Sequence, residues 1–224
     1  MCGRFILSVD IKTILALFRA GLQPGLAYEP RYNIAPGREV LVVTETGEGR
    51  LAAPMRWGLI PAWTKDKNIG YKLINARAET IDSKPSFKHS FAHRRCLIPA
   101  SGFYEWRHEG KIKQPLSITL PGKPLFAFAG IWDRWTSPEG EIVTSCSIIT
   151  APASKQMQKL HDRMPVILAD AAGQNAWLGQ KHPAALKEML RPYPGDLLLQ
   201  PVSTRVNSPQ NEGPELLKAN YLLY

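Results

Sequence analysis

The sequence predicts an α+β fold, with one domain built on a curled, mainly antiparallel, barrel-like β-sheet and helices at its periphery. Many short runs of strand-forming residues follow one another without regular alternation with helices, which argues against a doubly wound parallel sheet. The 224 residues can bury one continuous core. The 19 prolines and 17 glycines are spread along the chain and leave no linker. We therefore expect residues 1–224 to form a single domain.

The elements are expected in the following order. Ser8 caps a first helix whose apolar residues recur at helical spacing up to Phe18, and Gly21 ends it. A loop rich in Pro and Gly follows, and then strands at 40–44, 51–57, 95–99, 103–107, 114–120, 125–132 and 141–150. Helical signals return at 152–160, 170–178 and 183–190, and short strands are expected at 165–168 and 197–202.

Composition argues against a disordered, fibrous, membrane-spanning or secreted protein. With 44% hydrophobic and 21% charged residues, the chain is neither disordered nor fibrous. No apolar run reaches the ~20 residues that span a bilayer, and Asp10 and Lys12 interrupt the N-terminus before a secretory signal could form. Three scattered cysteines are too few for a disulfide framework and leave at least one free thiol. We expect a cytoplasmic protein, or a nuclear one in a eukaryote, with no membrane partner.

The charge balance points to a polyanionic partner. Lys and Arg total 28 against 19 Asp and Glu, a formal net charge of +9. Clustered cations release counterions from a phosphate backbone and thereby favour nucleic-acid binding. The alternative explanation of a basic surface is solubility alone.

Cys2 is the first residue that suggests chemistry. Removal of Met1 would leave Cys2 with a free α-amine beside its thiol, and both groups are nucleophiles. Such an aminothiol condenses with an aldehyde to an imine, which the sulfur closes to a thiazolidine. The same residues suit an N-terminal nucleophile amidohydrolase, in which the amine is the base for its own thiol. A buried, inert cysteine and a noncatalytic single-strand binder are the remaining alternatives.

Three further segments carry polar groups that could act with Cys2. Strand alternation would put Asn75 and Arg77 on one face, where an amide orients a carbonyl and a guanidinium binds phosphate; a surface ion pair with Glu79 is the alternative. Glu105 lies among aromatic residues, so desolvation should raise its pKa and suit it to general acid or base catalysis. His161 lies beside Asp and Arg at a helix-to-strand junction and is either catalytic or structural.

Two other features give weaker signals. Trp57 and Trp63, separated by Gly and Pro, are either core residues or exposed indoles that stack on bases. His89 and His93 could share a helix face, but no third ligand lies nearby, so we expect no metal site. No glycine loop of the nucleotide-binding kind is present, and we expect no cofactor.

Seven motifs together resemble the SRAP (SOS response-associated peptidase) family, whose members shield abasic sites in single-stranded DNA. They run in order along nearly the whole chain: MCGRF at 1–5, RYNIAPG at 31–37, WGLIPAW at 57–63, NARAET at 75–80, CLIPASGFYEW at 96–106, HDRMPVIL at 161–168 and PVSTRVN at 201–207. The resemblance implies the SRAP fold and a thiazolidine crosslink between Cys2 and the ring-opened sugar of an abasic site. It also implies self-removal of Met1, weak lyase activity and reversal of the crosslink.

The resemblance assigns further roles to residues of this sequence. Asn75 would orient the cysteine and the sugar, Glu105 would shuttle protons, and His161 would donate a proton to the sugar oxygen. Phosphate contacts would come from Arg77, with Arg4 and Arg163 in support, and Trp57 or Trp63 would support the bent strand. The expected partners are single-stranded DNA with abasic sites and junctions with a short duplex, bound by a monomer.

Overall fold

Two β-sheets form the body of the protein in a computed structural model that describes residues 2–110, 112–179 and 182–218. The strands are Phe5–Leu7 (β1), Ala20–Leu22 (β2), Arg31–Ile34 (β3), Glu39–Thr46 (β4), Gly49–Trp57 (β5), Asn75–Arg77 (β6), Arg95–Ala100 (β7), Gly102–Glu109 (β8), Ile112–Thr119 (β9), Phe126–Thr136 (β10), Ile142–Pro152 (β11), Arg163–Pro165 (β12), Ile167–Leu168 (β13) and Leu198–Pro201 (β14). The first sheet has the order β14-β9-β8-β1-β3.

The second sheet closes on itself. Its main path is β12-β11-β10-β7-β4-β5-β2, and β11 also pairs with β5, so that β11, β10, β7, β4 and β5 form a five-stranded ring. Most pairings are antiparallel; β2, β6 and β11 supply the parallel ones. A cluster of aromatic rings fills the core, with Phe5 packed edge-on against both Trp57 and Phe128. The curled, barrel-like α+β architecture predicted from the sequence is confirmed.

The helices lie at the periphery, as predicted, although two details differ. They are Ile11–Phe18 (α1), Lys88–His93 (α2), Ala171–Gly179 (α3) and Pro183–Met189 (α4), with 3₁₀ helices at Lys67–Lys72, Thr204–Asn207 and Pro214–Leu217. The predicted Ser8 cap is wrong: the Asp10 carboxylate accepts the Thr13 N–H at 3.0 Å and caps α1. None of these helices, within the described ranges, is both long and apolar enough to cross a membrane.

The predicted helix at 152–160 is also wrong. β11 continues to Pro152, and the residues after it form consecutive turns. The Ala153 N–H donates to the Asp162 carbonyl at 2.9 Å, which ties the start of this segment to its end. A regular helix keeps its two ends apart by 1.5 Å per residue, so this closure favours turns instead. They deliver His161 to the start of β12.

Candidate active site

The N-terminal segment runs beside β8, which brings Cys2 close to Glu105. Phe5 pairs with Phe103, and the Tyr104 N–H donates to the Arg4 carbonyl at 3.0 Å. Continuing this antiparallel register by one residue sets the chain just after Cys2 opposite Glu105. Cys2 and Glu105 are both buried. The pairing of β1 with β8 therefore brings the residues around Cys2 next to Glu105 of β8.

Asn75 reaches the same place from the second sheet. It begins β6, pairs with Ile148 of β11, and donates from Nδ2 to the Cys2 carbonyl at 2.9 Å. The preceding residue is held by the core, because the Trp57 indole N–H donates to the Ile74 carbonyl at 2.9 Å. Asn75 Oδ1 is buried and receives no hydrogen bond from any residue in the described ranges. This amide thus fixes the backbone of Cys2 and keeps an acceptor available.

Burial controls the protonation of the two reactive groups. Burial raises the pKa of the Cys2 thiol, and the Glu105 carboxylate raises it further, so the thiol is protonated at neutral pH. Burial likewise raises the pKa of Glu105 to about 7. A carboxyl group with this pKa can both accept and donate a proton at neutral pH. The predicted upward shift at Glu105 is confirmed.

His161 is poised as a neutral hydrogen-bond donor. Burial lowers its pKa, and the Arg163 backbone N–H donates to its Nδ1 at 3.0 Å. The Asp162 carboxylate lies 2.6 Å from the same nitrogen and would favour the charged ring, but the Asp162 side chain is 82% exposed. Nδ1 therefore faces both a donor, the Arg163 N–H, and an acceptor, the Asp162 carboxylate, and burial outweighs the carboxylate and holds the pKa of His161 below its usual value.

An open cleft of about 470 Å³ is lined by both Glu105 and His161. Its walls come from the hairpin of β8 and β9, from the turn before β12 and from the 3₁₀ helix near residue 207. The lining residues are Glu105, Trp106, His108, Lys113, Leu160, His161 and Asn207. Asn75 is thus hydrogen-bonded to Cys2, Cys2 lies close to Glu105, and Glu105 and His161 line one cleft, while the catalytic role of these four residues stays a prediction.

Two of the three predicted phosphate-binding arginines have partners inside the protein. The Arg4 guanidinium donates from Nη1 to Asn33 Oδ1 at 2.7 Å and to the Val206 carbonyl at 2.8 Å. Arg163 is buried, with Nη2 donating to Glu79 Oε2 at 3.0 Å and to the Thr150 carbonyl at 2.6 Å. These contacts give both residues a structural role, and their predicted phosphate contacts stay predictions.

Arg77, by contrast, is available to a ligand. Its side chain is exposed at the end of β6, and Glu79 pairs with Arg163 instead of forming the alternative ion pair with Arg77. Within the described part of the chain no side-chain hydrogen bond or ion pair holds Arg77, so its guanidinium can meet a phosphate without losing one.

The two indoles differ completely in exposure. Trp57 is 0% exposed and belongs to the core, whereas Trp63 is 62% exposed. A buried ring offers no surface to DNA, so the predicted DNA contact of Trp57 is wrong. Its indole N–H supports the chain next to Asn75 instead, which leaves Trp63 as the stacking candidate of the pair.

Three polar residues of the cleft were not predicted from the sequence. His108 and Lys113 lie opposite each other on β8 and β9, and Asn207 accepts the Trp106 indole N–H at 2.7 Å. His108 lies two residues after Trp106, so strand alternation could have placed both on one face. Nothing in the local sequence around Asn207 indicates that it meets Trp106, because the two residues are 101 positions apart.

Comparison with known proteins identifies the family. Residues 1–209 match the model of the SRAP family, described as SOS response associated peptidase. The chain is 44% identical to the abasic site processing protein YoqW of Bacillus subtilis, covering 98% of this chain and all of that protein. It is 34% identical to the abasic site processing protein YedK of Escherichia coli, covering 97% of this chain and 99% of YedK.

More distant similarities agree with this result. The abasic site processing protein HMCES of Xenopus tropicalis is 33% identical over 86% of this chain and 67% of its own length. A crystal structure of a Bacteroides thetaiotaomicron protein superposes with a TM-score of 0.87 at 27% identity, covering 97% of this chain and 99% of that one. The chain belongs to the SRAP family.

Proposed function

We propose that this protein senses abasic sites in single-stranded DNA and binds them covalently through Cys2. The observation that carries the proposal is the convergence of Cys2, Asn75 and Glu105, with a carboxyl whose pKa is near neutrality beside the N-terminal cysteine. Relatives of up to 44% identity that bear the name abasic site processing protein support it. An abasic site supplies the aldehyde with which an N-terminal aminothiol reacts.

The proposed reaction balances without a cofactor. The Cys2 α-amine adds to C1′ of the ring-opened sugar, and loss of one water gives an imine. The thiol then adds across the C=N bond: sulfur bonds to C1′, and the thiol proton ends on nitrogen. Nothing is oxidised or reduced. The thiazolidine that results removes the imine, which is the electron sink that β-elimination of the 3′ phosphate requires.

Each neighbouring side chain has a defined task in this proposal. Asn75 fixes the carbonyl of Cys2 and so orients the amine and the thiol. Glu105 takes protons from the amine and the thiol and returns them as water leaves, and the reverse sequence releases the crosslink. The Nε2–H of His161 donates to the sugar oxygen and assists ring opening. Proton transfer by a positioned group typically contributes ~10²–10⁴-fold in rate.

The amine becomes available only after Met1 is removed, and Met1 lies outside the described residues. Removal by the protein itself, as the peptidase in the family's name suggests, or by an aminopeptidase would serve equally. The imine that precedes ring closure also permits slow β-elimination, so we expect weak lyase activity.

Arg77 and Trp63 are the proposed DNA contacts beside the reacting groups. Arg77 would hold a phosphate next to the lesion, and the exposed indole of Trp63 would stack on an unpaired base. Because a fully paired strand resists extrusion of its sugar into a cleft, we expect a preference for single strands or junctions with a short duplex. A monomer suffices for this activity.

A direct test uses a single-stranded oligonucleotide with one abasic site, denaturing electrophoresis and intact-mass spectrometry of the protein. We expect a heat-stable adduct with wild-type protein that lacks Met1. Cys2→Ser is the matched control, because serine keeps the amine and lacks the sulfur. It should give an adduct that survives only after borohydride reduction, together with more strand cleavage.

The outcomes separate the alternatives. A heat-stable adduct formed equally well by Cys2→Ser and by wild-type protein would exclude ring closure by sulfur. Ammonia release from glutamine without any adduct would favour the N-terminal nucleophile amidohydrolase. Equal DNA affinity without adduct in both proteins would indicate a noncatalytic binder.

A further inference from the structure

The β8–β9 hairpin carries an imidazole and an ammonium group at the mouth of the cleft. His108 and Lys113 are directly opposite in the antiparallel register, a position in which Cβ atoms lie ~4.5–5.5 Å apart. Both side chains are exposed and line the cleft that contains Glu105 and His161. Neither forms an ion pair or a hydrogen bond with another described residue. Two donors at this spacing can contact one phosphate.

The positions of the nearby arginines explain why His108 and Lys113 matter for phosphate binding in the cleft. Arg4 is bound to Asn33 and Val206, Arg163 is bound to Glu79, and neither arginine is among the residues that line the cleft. Arg77 is exposed, but it belongs to the second sheet. Among the described residues that line the cleft, Lys113 supplies the positive charge, and the His108 imidazole lies directly opposite it.

We propose that His108 and Lys113 form a phosphate subsite for the DNA strand on the hairpin side of the lesion; this subsite rests on the proposed function. His108 is three residues from Glu105 along β8, about 10 Å at ~3.3 Å per residue. Stacked nucleotides advance ~3.4 Å each along one strand. The bound phosphate therefore belongs to a nucleotide within about three steps of the abasic site. Arg77 on the second sheet and the hairpin on the first would hold the strand across the mouth of the cleft.

The salt dependence of binding tests the subsite. The probe is a single-stranded oligonucleotide with a tetrahydrofuran abasic analogue, which lacks the aldehyde and cannot crosslink. Affinity is measured by fluorescence anisotropy between about 50 and 200 mM salt. Each phosphate contact on a single strand contributes ~0.7 to the slope of log K against log salt. We expect Lys113→Ala to reduce the slope by ~0.7 and Lys113→Arg to retain it.

A matched control and a second probe locate the contact. Lys12 is exposed on α1, which packs against β2, and Lys12→Ala should leave the slope unchanged. A set of oligonucleotides carries one neutral methylphosphonate each, at successive positions along the strand. At one position within three nucleotides of the lesion, the methylphosphonate should weaken binding by the wild-type protein but leave binding by Lys113→Ala unchanged. Thermal melting checks that each variant is folded.

Two results would overturn the subsite: a slope unchanged in both Lys113→Ala and the double variant with His108→Ala, or a methylphosphonate scan without any position coupled to Lys113. Failure of the proposed function would look different. In that case a true abasic site would give no Cys2-dependent adduct, while the tetrahydrofuran probe would still report on the phosphate contact.

Discussion

Replacing Glu105 by Gln should stabilise the fold at alkaline pH while it slows the reaction. Burial raises the pKa of Glu105 from its ordinary value of 4.5 to about 7. One pKa unit corresponds to 1.36 kcal/mol, so the buried carboxylate costs about 3 kcal/mol of folding stability above pH 7. Between pH 4.5 and 7 the native state binds more protons than the unfolded chain, and stability therefore falls as pH rises through that window. Glutamine is neutral throughout and avoids this cost.

Thermal unfolding at pH 4 and pH 8 measures the effect. For a protein of this size, 1 kcal/mol moves Tm by roughly 2–4 °C. The Tm of Glu105→Gln minus that of wild type should therefore increase by roughly 6–12 °C between the two pH values. Glu48→Gln is the control: Glu48 lies exposed in the turn between β4 and β5, so removal of its charge should change stability by less than ~0.5 kcal/mol at either pH.

The same variant gives the kinetic half of the prediction. At pH 8, crosslinking by Glu105→Gln should be slower by at least ~10²-fold, the lower range for loss of a general acid or base. A variant that gained no stability at pH 8, or gained equally at both pH values, would refute the assignment of a desolvated carboxylate. Unchanged crosslinking would refute its role in proton transfer.

Three further predictions concern the side chains around Cys2 and the DNA. Asn75→Ala removes one hydrogen bond worth ~1 kcal/mol. Single-turnover assays at saturating DNA should therefore show crosslinking that is several-fold slower, while affinity for the tetrahydrofuran probe stays within about twofold of wild type. Equal loss of crosslinking rate and of affinity would indicate a general structural role. Arg77→Ala should reduce the salt slope by ~0.7, whereas Arg77→Lys should retain it. Trp57→Ala should lower the free energy of unfolding, measured with denaturant, by ~3–5 kcal/mol. Trp63→Ala should lower it by less than ~0.5 kcal/mol and should weaken binding of single-stranded DNA by ~1–3 kcal/mol. The reverse pattern would contradict the burial of Trp57.

The strands that the sequence did not reveal are those whose pairing comes from distant residues. β1 and β3 have three and four residues, and β3 lies within a segment rich in Pro and Gly. Such short runs carry little periodicity. They become strands because β8 pairs with β1 and β1 pairs with β3. The long strands around β10 and β11, with more residues to define their pattern, were predictable.

The site was predictable where chemistry is local. The aminothiol of Cys2 and the aromatic surroundings of Glu105 follow from neighbouring residues, and the raised pKa of Glu105 is confirmed. The partners of the arginines were not predictable, because Arg163 finds Glu79 at 84 positions' distance. The same holds for the indoles: Trp57 is buried and packs against Phe5, which is distant in sequence, whereas Trp63 is exposed. The catalytic roles of Cys2, Asn75, Glu105 and His161 stay predictions.

The contact between Arg4 and the Val206 carbonyl joins segments 202 positions apart, and Asn33 binds the same late segment through the Val206, Ser208 and Asn211 carbonyls. Ribosomes release a protein from its amino end first, so Cys2 emerges long before the residues that complete its surroundings. A nascent chain would therefore expose its nucleophile without Asn207 on the opposite wall. The proposed site would therefore be complete only after residues 206–211 have left the ribosome and bound Arg4 and Asn33.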